Sequence, residues 1–153
     1  MIRVSLRSAV GLPVLLAGAL FALGGCGVPA AAERAITASL DTAVAAVNEE
    51  RASPVVGLIA PEYRDGQGRG RDEMEDLVRG WFLSFSDMRI TVRTVDFATA
   101  EGGAVSTRVE LLASGRRGFG LPDTDAMEVQ LEWVETGPGR WQVRSAQWRR
   151  LRT

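Results

Sequence analysis

The chain has 153 residues, of which 18 are basic and 19 acidic, and it contains one cysteine and no histidine. Histidine is the commonest general acid–base group and metal ligand. Its absence excludes Ser-His and Cys-His nucleophilic pairs and, with a single cysteine, the usual zinc ligand sets. Any catalysis would depend on carboxylates, the one tyrosine, arginine or backbone groups. We expect no metal site and no cofactor.

The N-terminal segment has the three parts of an export signal. Arg3 and Arg7 form a short positive head, residues 10–23 are almost wholly apolar, and small residues precede Cys26. The apolar run is interrupted by glycine and proline and is shorter than the ~20 residues that a spanning helix needs. The tetrad Leu23-Gly24-Gly25-Cys26 resembles the lipobox of bacterial lipoproteins, in which the peptide is cut before the cysteine and the cysteine is acylated.

The lipobox resemblance implies a signal peptide at residues 1–25, lipidation of Cys26 and a lipidated tether at residues 26–32. The remaining residues, 33–153, are enough for one domain with one core. The lipobox resemblance also implies a place in the bacterial cell envelope, anchored by lipid and facing the periplasm, and Gly27 after the cysteine favours the outer membrane over the inner. The alternatives are an ordinary secretory signal with a chance cysteine and an uncleaved anchor. Because a lone thiol is unusual in an oxidising compartment, lipidation is the simpler interpretation.

The first half of the domain is predicted to be mainly helical. Apolar residues recur at helical spacing through residues 33–51, and this helix should end before Pro54. Residues 55–60 are predicted as a single helical turn or short helix. Residues 61–70 are predicted as a glycine-rich loop, which lacks the Lys-Ser/Thr pair of a phosphate-binding loop. The strongest helical pattern spans residues 71–84, whose acidic first turns suit the helix dipole.

After this helix the apolar period changes to two, which predicts strands. Four strands are predicted, at residues 89–97, 104–113, 126–135 and 140–150. The alternation slips near Val95 and again before Ala146, as it does at a β-bulge. Helices followed by strands with short connections are typical of an α+β domain. We expect the N-terminal helices to pack on a curved, mostly four-stranded antiparallel sheet.

This order of elements resembles that of the nuclear transport factor 2-like superfamily, the cone-shaped, cystatin-like fold of ketosteroid isomerase, scytalone dehydratase and polyketide cyclases. The matching pieces are the first helix, Tyr63-Arg64-Asp65 before the 71–84 helix, Glu132-Trp133, and residues 140–143 after the last turn. The resemblance implies a cone with an apolar mouth. Members include enzymes, small-molecule binders and dimerisation modules, so the fold does not settle the function.

The resemblance to the isomerase members implies one enzymatic alternative, an isomerase or lyase that uses Tyr63 and an aspartate. Asp65 is the first candidate for that carboxylate, and Asp87 and Asp96 are further ones. In non-catalytic relatives, however, the matching tyrosine packs beneath the helix and the aspartate fixes the turn. The dehydratase members depend on histidine, which this chain lacks. A non-catalytic role is therefore the favoured interpretation.

Several large apolar side chains lie at positions where they would line the cone. The candidate pocket residues are Trp81, Phe82, Phe85, Met127 and Trp133. They would suit a small apolar ligand such as a lipid, although the same spacing is also typical of an ordinary core. Whether the cone is open or filled by these side chains is left open by the sequence.

The C-terminal strand carries several arginines and Trp148. We expect Trp148 to be partly exposed, where tryptophan and arginine together favour contact with a second copy of the chain or with an envelope protein. Several of the arginines of residues 140–152 alternate along the strand and are expected to form its solvated face rather than to bind nucleic acid. The sequence thus predicts a lipid-anchored envelope protein that binds a small apolar ligand or a protein partner.

Overall fold

The computed structural model describes residues 27–120 and 122–152. The predicted signal peptide and Cys26 lie outside these described residues, so cleavage and lipidation stay predictions. Among the helices of the described part, none is both long enough and apolar enough to cross a membrane.

The described part contains three α-helices and five strands. In chain order they are α1 (Ala30–Asn48), α2 (Ala52–Gly57), β1 (Ile59–Asp65), α3 (Arg71–Ser84), β2 (Ser86–Thr99), β3 (Val105–Arg116), β4 (Asp123–Gly137) and β5 (Arg140–Arg150), with a 3₁₀ turn at Glu101–Gly103. The α+β class is therefore confirmed. The connection between β2 and β3 contains Gly102 and Gly103, and both adopt the positive φ that favours glycine in this tight turn.

The strands form one mixed sheet in the order β1-β5-β4-β3-β2. The strands β2 to β5 pair antiparallel, whereas β1 lies parallel to β5. The prediction of a mostly four-stranded antiparallel sheet was therefore wrong by one strand, because β1 was missed. The predicted loop at residues 61–70 begins only after Asp65, where β1 ends. An edge strand tolerates Pro61 because one row of its backbone groups needs no sheet partner.

Helix α1 differs from its prediction at both ends. It begins at Ala30 rather than at residue 33, so residues 30–32 of the predicted tether form its first turn, and Ala32 is buried. It ends at Asn48 rather than Arg51. There Glu50 adopts a positive φ and the Arg51 N–H donates to the Ala46 carbonyl, as in a Schellman motif.

Both predicted slips in the strand pattern are bulges in the sheet. Arg93 is an extra residue in β2, between the pairs that Val92 and Thr94 make with β3. Arg144 is an extra residue in β5, where Glu132 faces Ser145 and the next residue of β4 faces Val143. A bulge bends its strand and increases the local twist, which favours the curvature of the sheet.

One end of the domain is closed by a core that joins α1 to the sheet. Ile36 of α1 packs in a buried cluster with Tyr63, Trp133, Trp141 and neighbouring aliphatic side chains. The Trp133 indole Nε1–H donates to Thr107 Oγ1 at 2.9 Å, and both residues are buried. Because a buried donor needs a partner, this hydrogen bond fixes the orientation of the largest ring in the closed end.

The outer face of the sheet is charged. The Glu128 carboxylate accepts two hydrogen bonds of 3.0 Å from Arg149, and Arg108 lies 4.0 Å away. The hydrogen bond from Arg149 is the main reason why the pKa of Glu128 lies below its ordinary value. Arg144 pairs with Glu132 on the same face. The arginines of β5 that alternate with its inward residues thus form a solvated face, as the sequence predicted.

Candidate ligand-binding cavity

A cavity of about 940 Å³ lies between the concave face of the sheet and helix α3. Its volume is within the range of small-molecule sites, roughly 300–1,000 Å³. The sheet contributes alternate residues of β3, β4 and β5, and α3 contributes one helical face. The cone is therefore open at this end.

Four of the five predicted pocket residues line this cavity. Trp81 and Phe82 come from the last turns of α3, Phe85 follows directly, and Met127 comes from β4. The fifth, Trp133, is not among the lining residues but belongs to the buried core of the closed end. Strand alternation puts Met127 and Trp133 on one face, but six residues of strand separate them by roughly 20 Å.

Helix α3 contributes to the cavity along one face. Glu73 accepts a hydrogen bond of 2.8 Å from the Gly70 N–H and so supports the start of the helix. Met74 and Val78 are buried against the core, whereas Trp81 is 36% exposed. Since all three share one helical face, the decrease in burial shows that this face becomes more open to solvent toward the C-terminal end of α3.

Trp148 also lines the cavity and is partly exposed, as the sequence predicted. It is half-buried, packs against the core cluster and faces the same side of β5 as Ala146. The Arg69 guanidinium lies over its ring, 5.2 Å from the centroid. The extra residue at Arg144 changes the phase of β5 and turns Trp148 inward.

Sequence reasoning missed most of the aliphatic lining. The missed residues include Val47, Val55, Ile90, Leu111, Val129 and Leu131. The missed residues that lie on strands are on the same inward face of the sheet as Met127. This shared face was the signal in the sequence that could have identified them. Whether such a residue lines the cavity or packs in the core depends on its distance from the closed end. A periodic pattern does not contain that distance.

Tyr63 does not reach the cavity. Its side chain packs in the core of the closed end and the residue is 1% exposed. Burial, and then the nearby charge of Asp65, raises the pKa of Tyr63 to about 12. Its hydroxyl has no hydrogen-bond partner among the described residues. The phenol is therefore a neutral, enclosed group.

Asp65 is used by its own turn. Its Oδ1 accepts hydrogen bonds from the backbone N–H groups of Gln67 (2.8 Å) and Arg69 (2.9 Å), and Oδ2 is 2.6 Å from Arg69 Nε. Burial alone would raise the pKa of Asp65, but these hydrogen bonds and the charge of Arg69 together hold it below its ordinary value. The carboxylate is thus ionised and saturated with donors, as a turn-fixing aspartate is.

The other carboxylates proposed for catalysis also lie away from the cavity wall. Asp87 is exposed and pairs with Arg116. Asp96 is exposed and lies opposite Arg108 in the sheet. Tyr63 and the candidate aspartates consequently do not converge on one point in the cavity.

Comparison with solved structures identifies the fold. A proposed aromatic ring hydroxylase from Novosphingobium aromaticivorans superposes with a TM-score of 0.72 at 16% identity, over 82% of this chain and 92% of that one. A proposed scytalone dehydratase from the same organism gives 0.71 at 14% identity, over 78% and 84%. A nuclear transport factor 2-like superfamily protein from Salmonella enterica gives 0.69 at 12% identity, over 80% and 92%.

These similarities define the domain as one with the nuclear transport factor 2-like fold, in agreement with the resemblance in the sequence. At identities this low the likeness concerns the fold alone. No protein-family model matches the sequence, and no curated protein matches it either.

We predict that Tyr63→Phe leaves the free energy of unfolding within about 1 kcal/mol of the wild-type value. The hydroxyl that it removes makes no hydrogen bond to the described residues, whereas the ring, which packs the core, is kept. Urea unfolding measures the difference. Tyr63→Ala is the control and should cost about 3–5 kcal/mol, as large-to-small core substitutions do. A Phe variant that loses as much as the Ala variant would contradict this account.

We predict that Asp65→Asn lowers the free energy of unfolding at pH 7 by about 2 kcal/mol, because a charge-assisted hydrogen-bond set is lost. The folded state holds the pKa of Asp65 low, so its contribution is complete above the ordinary pKa and disappears as the pH falls below about 4. The variant should therefore lose less stability between pH 5 and pH 2. Urea unfolding across this range tests both points, with the exposed Asp96→Asn as control. Equal stability of variant and wild type at pH 7 would refute the assignment.

Proposed function

We propose that the chain is a lipoprotein of the bacterial cell envelope whose domain binds a small apolar ligand and catalyses no reaction. The observation that carries this proposal is the open cavity of about 940 Å³ with walls of apolar side chains. Transfer of apolar surface from water to such walls is favourable by about 25 cal/mol per Å². The cavity is large enough for this transfer free energy to drive binding of a small molecule.

The chemistry of the site supports binding over catalysis. The isomerase alternative needs a tyrosine and a carboxylate directed at one substrate atom in an apolar pocket. Tyr63 is enclosed in the core, and Asp65 is occupied by the turn that ends at Arg69. The dehydratase and hydroxylase names of the structural neighbours describe those proteins. This chain has no histidine with which to perform dehydratase chemistry of the kind found in that branch of the superfamily.

The position of the N-terminal segment supports an arrangement in which the cavity opens away from the anchor. Val28 packs against the core of the closed end, and Ile36 lies inside that core. Helix α1 has 19 residues, which corresponds to about 28 Å, and its last turn reaches the cavity through Val47. A lipid on Cys26 would thus attach at the closed end, and the ligand would enter from the periplasmic side.

A protein partner, either a second copy or another envelope protein, remains part of this proposal as an additional contact. Leu83 is 89% exposed at the end of α3, and Phe119 is fully exposed in the connection between β3 and β4. Large exposed apolar side chains favour contacts of this kind. Both residues are close in sequence to cavity residues, so such a contact would form near the mouth.

We predict that Val129→Trp lowers ligand capture at least about tenfold, because the indole would fill space in the cavity. The probe is a neutral long-chain alcohol that carries a photoreactive diazirine. It is added to the full-length protein purified from the cell envelope and reconstituted in nanodiscs, and cross-links are mapped by mass spectrometry. Wild-type cross-links should fall on cavity residues such as Trp81 and Met127.

The matched control is Gln130→Trp, which adds the same side chain one residue further along β4, on the outer face of the sheet. It should cross-link as the wild type does. Circular dichroism checks that both variants are folded. Cross-links spread evenly over the surface, or equal yields in the two variants, would contradict binding in the cavity.

We predict that cells expressing the wild-type chain incorporate radioactive palmitate into the protein and that Cys26→Ser abolishes the incorporation. The cysteine is the only one in the chain, so no other thiol can receive the lipid. Autoradiography of the immunoprecipitated protein measures the label. Undiminished label in the Ser variant would rule out lipidation of Cys26.

A further inference from the structure

Charged side chains line the cavity only at its mouth. The polar lining residues are Arg89, Ser114, Arg117, Asp123, Asp125 and Arg150. The sheet register explains their common position, because Arg89 pairs with Ser114, Gly115 pairs with Asp123, and Met127 pairs with Arg150. The beginnings of β2 and β4 and the ends of β3 and β5 therefore meet at one end of the sheet.

The charges at the mouth do not cancel. Arg150 lies 3.1 Å from Asp125, and these two neutralise each other. Arg89 donates hydrogen bonds to the backbone carbonyls of Asn48 and Met88, which leave its positive charge in place. Arg89 and Arg117 have no carboxylate within 4.0 Å among the described residues, so two arginines and one acid, Asp123, determine the local field.

Arg117 is placed to recognise an anion at this mouth. Its guanidinium lies over the Phe85 ring, 4.8 Å from the centroid, and Phe85 itself lines the cavity. Stacking on an aromatic face restricts the planar group and leaves its N–H donors at the edge. These donors match the two oxygens of a carboxylate, and the bond is stronger beside an apolar wall than in bulk water.

We propose that the ligand of the cavity is an amphiphile with an apolar body and a single carboxylate head. The body lies against the side chains around Trp81, Phe82 and Met127, and the carboxylate binds Arg117. Asp123 at the same mouth disfavours a head with more than one negative charge. This inference rests on the proposed function, since it names the class of molecule that the cavity takes.

The test is a competition against the neutral diazirine alcohol in the reconstituted full-length protein. Dodecanoate and dodecanol share one chain and differ in head charge, and dodecyltrimethylammonium has the opposite charge. We expect dodecanoate to displace the probe at a concentration at least about tenfold lower than dodecanol does, and the cation to be the weakest of the three. 2-Naphthoate carries the same carboxylate on an aromatic body instead of an acyl chain. Its competition with the probe therefore distinguishes an aromatic acid from a fatty acid as the ligand.

Variants then identify the residue that gives the cavity its preference for a carboxylate head. Arg117→Gln should remove the preference for dodecanoate over dodecanol, measured as the ratio of the concentrations at which the two displace the probe. Arg117→Lys should restore part of the preference, because the charge returns without the planar fork. The control is Arg93→Gln, which removes an exposed arginine at the bulge of β2, outside the cavity lining, and should preserve the wild-type preference.

The outcomes separate the two proposals. If dodecanoate and dodecanol compete equally, the carboxylate head is refuted while binding of an apolar ligand stands. If Arg117→Gln also abolishes capture of the neutral probe, Arg117 acts on the cavity itself and its role as an anion site is refuted. If the neutral probe gives no cross-link in the wild-type cavity, the proposed function fails, and with it the inference that rests on it.

Discussion

The bulge at Arg144 is the constraint on which the cavity depends. Before it, Trp141 and Val143 face the core, and after it Ala146 and Trp148 face the same side of the sheet. A strand without the extra residue would turn its last inward residues to the outer face, because successive side chains alternate. The cavity would lose one wall, and Asp125 at the mouth would lose the arginine that neutralises it.

A second connection joins the Asp65 turn to the same wall. The Asp65 carboxylate holds Arg69 by a backbone and a side-chain hydrogen bond, and Arg69 in turn lies over Trp148. A residue that looked catalytic in the sequence therefore stabilises the cavity from outside. Its ionised state is important for the position of Arg69.

The sequence predicted those parts of the fold that depend on local pattern. The apolar period located α3 and strands β2 to β5, and the breaks in that period located both bulges. Strand β1 was missed because Pro61 and the glycines after Asp65 are typical of a loop, while its parallel pairing with β5 depends on residues more than 80 positions away. Trp133 was misplaced for a related reason. A period identifies the face of a strand but not the distance along it.

The cavity leaves the C-terminal end of α3 incompletely buried, and this costs stability. Met74 and Val78 keep their contacts with the core, but Trp81 at the far end of the helix lacks a full set of neighbours. Apolar side chains that line an open cavity stay exposed to water and forgo the transfer free energy that a closed core would have. A ligand body would remove that surface from water, and binding to the folded state alone would stabilise it. A domain that retained its fold for structural reasons only would gain stability by closing this end. The open, apolar cavity is therefore the feature of the structure on which the proposed ligand binding rests.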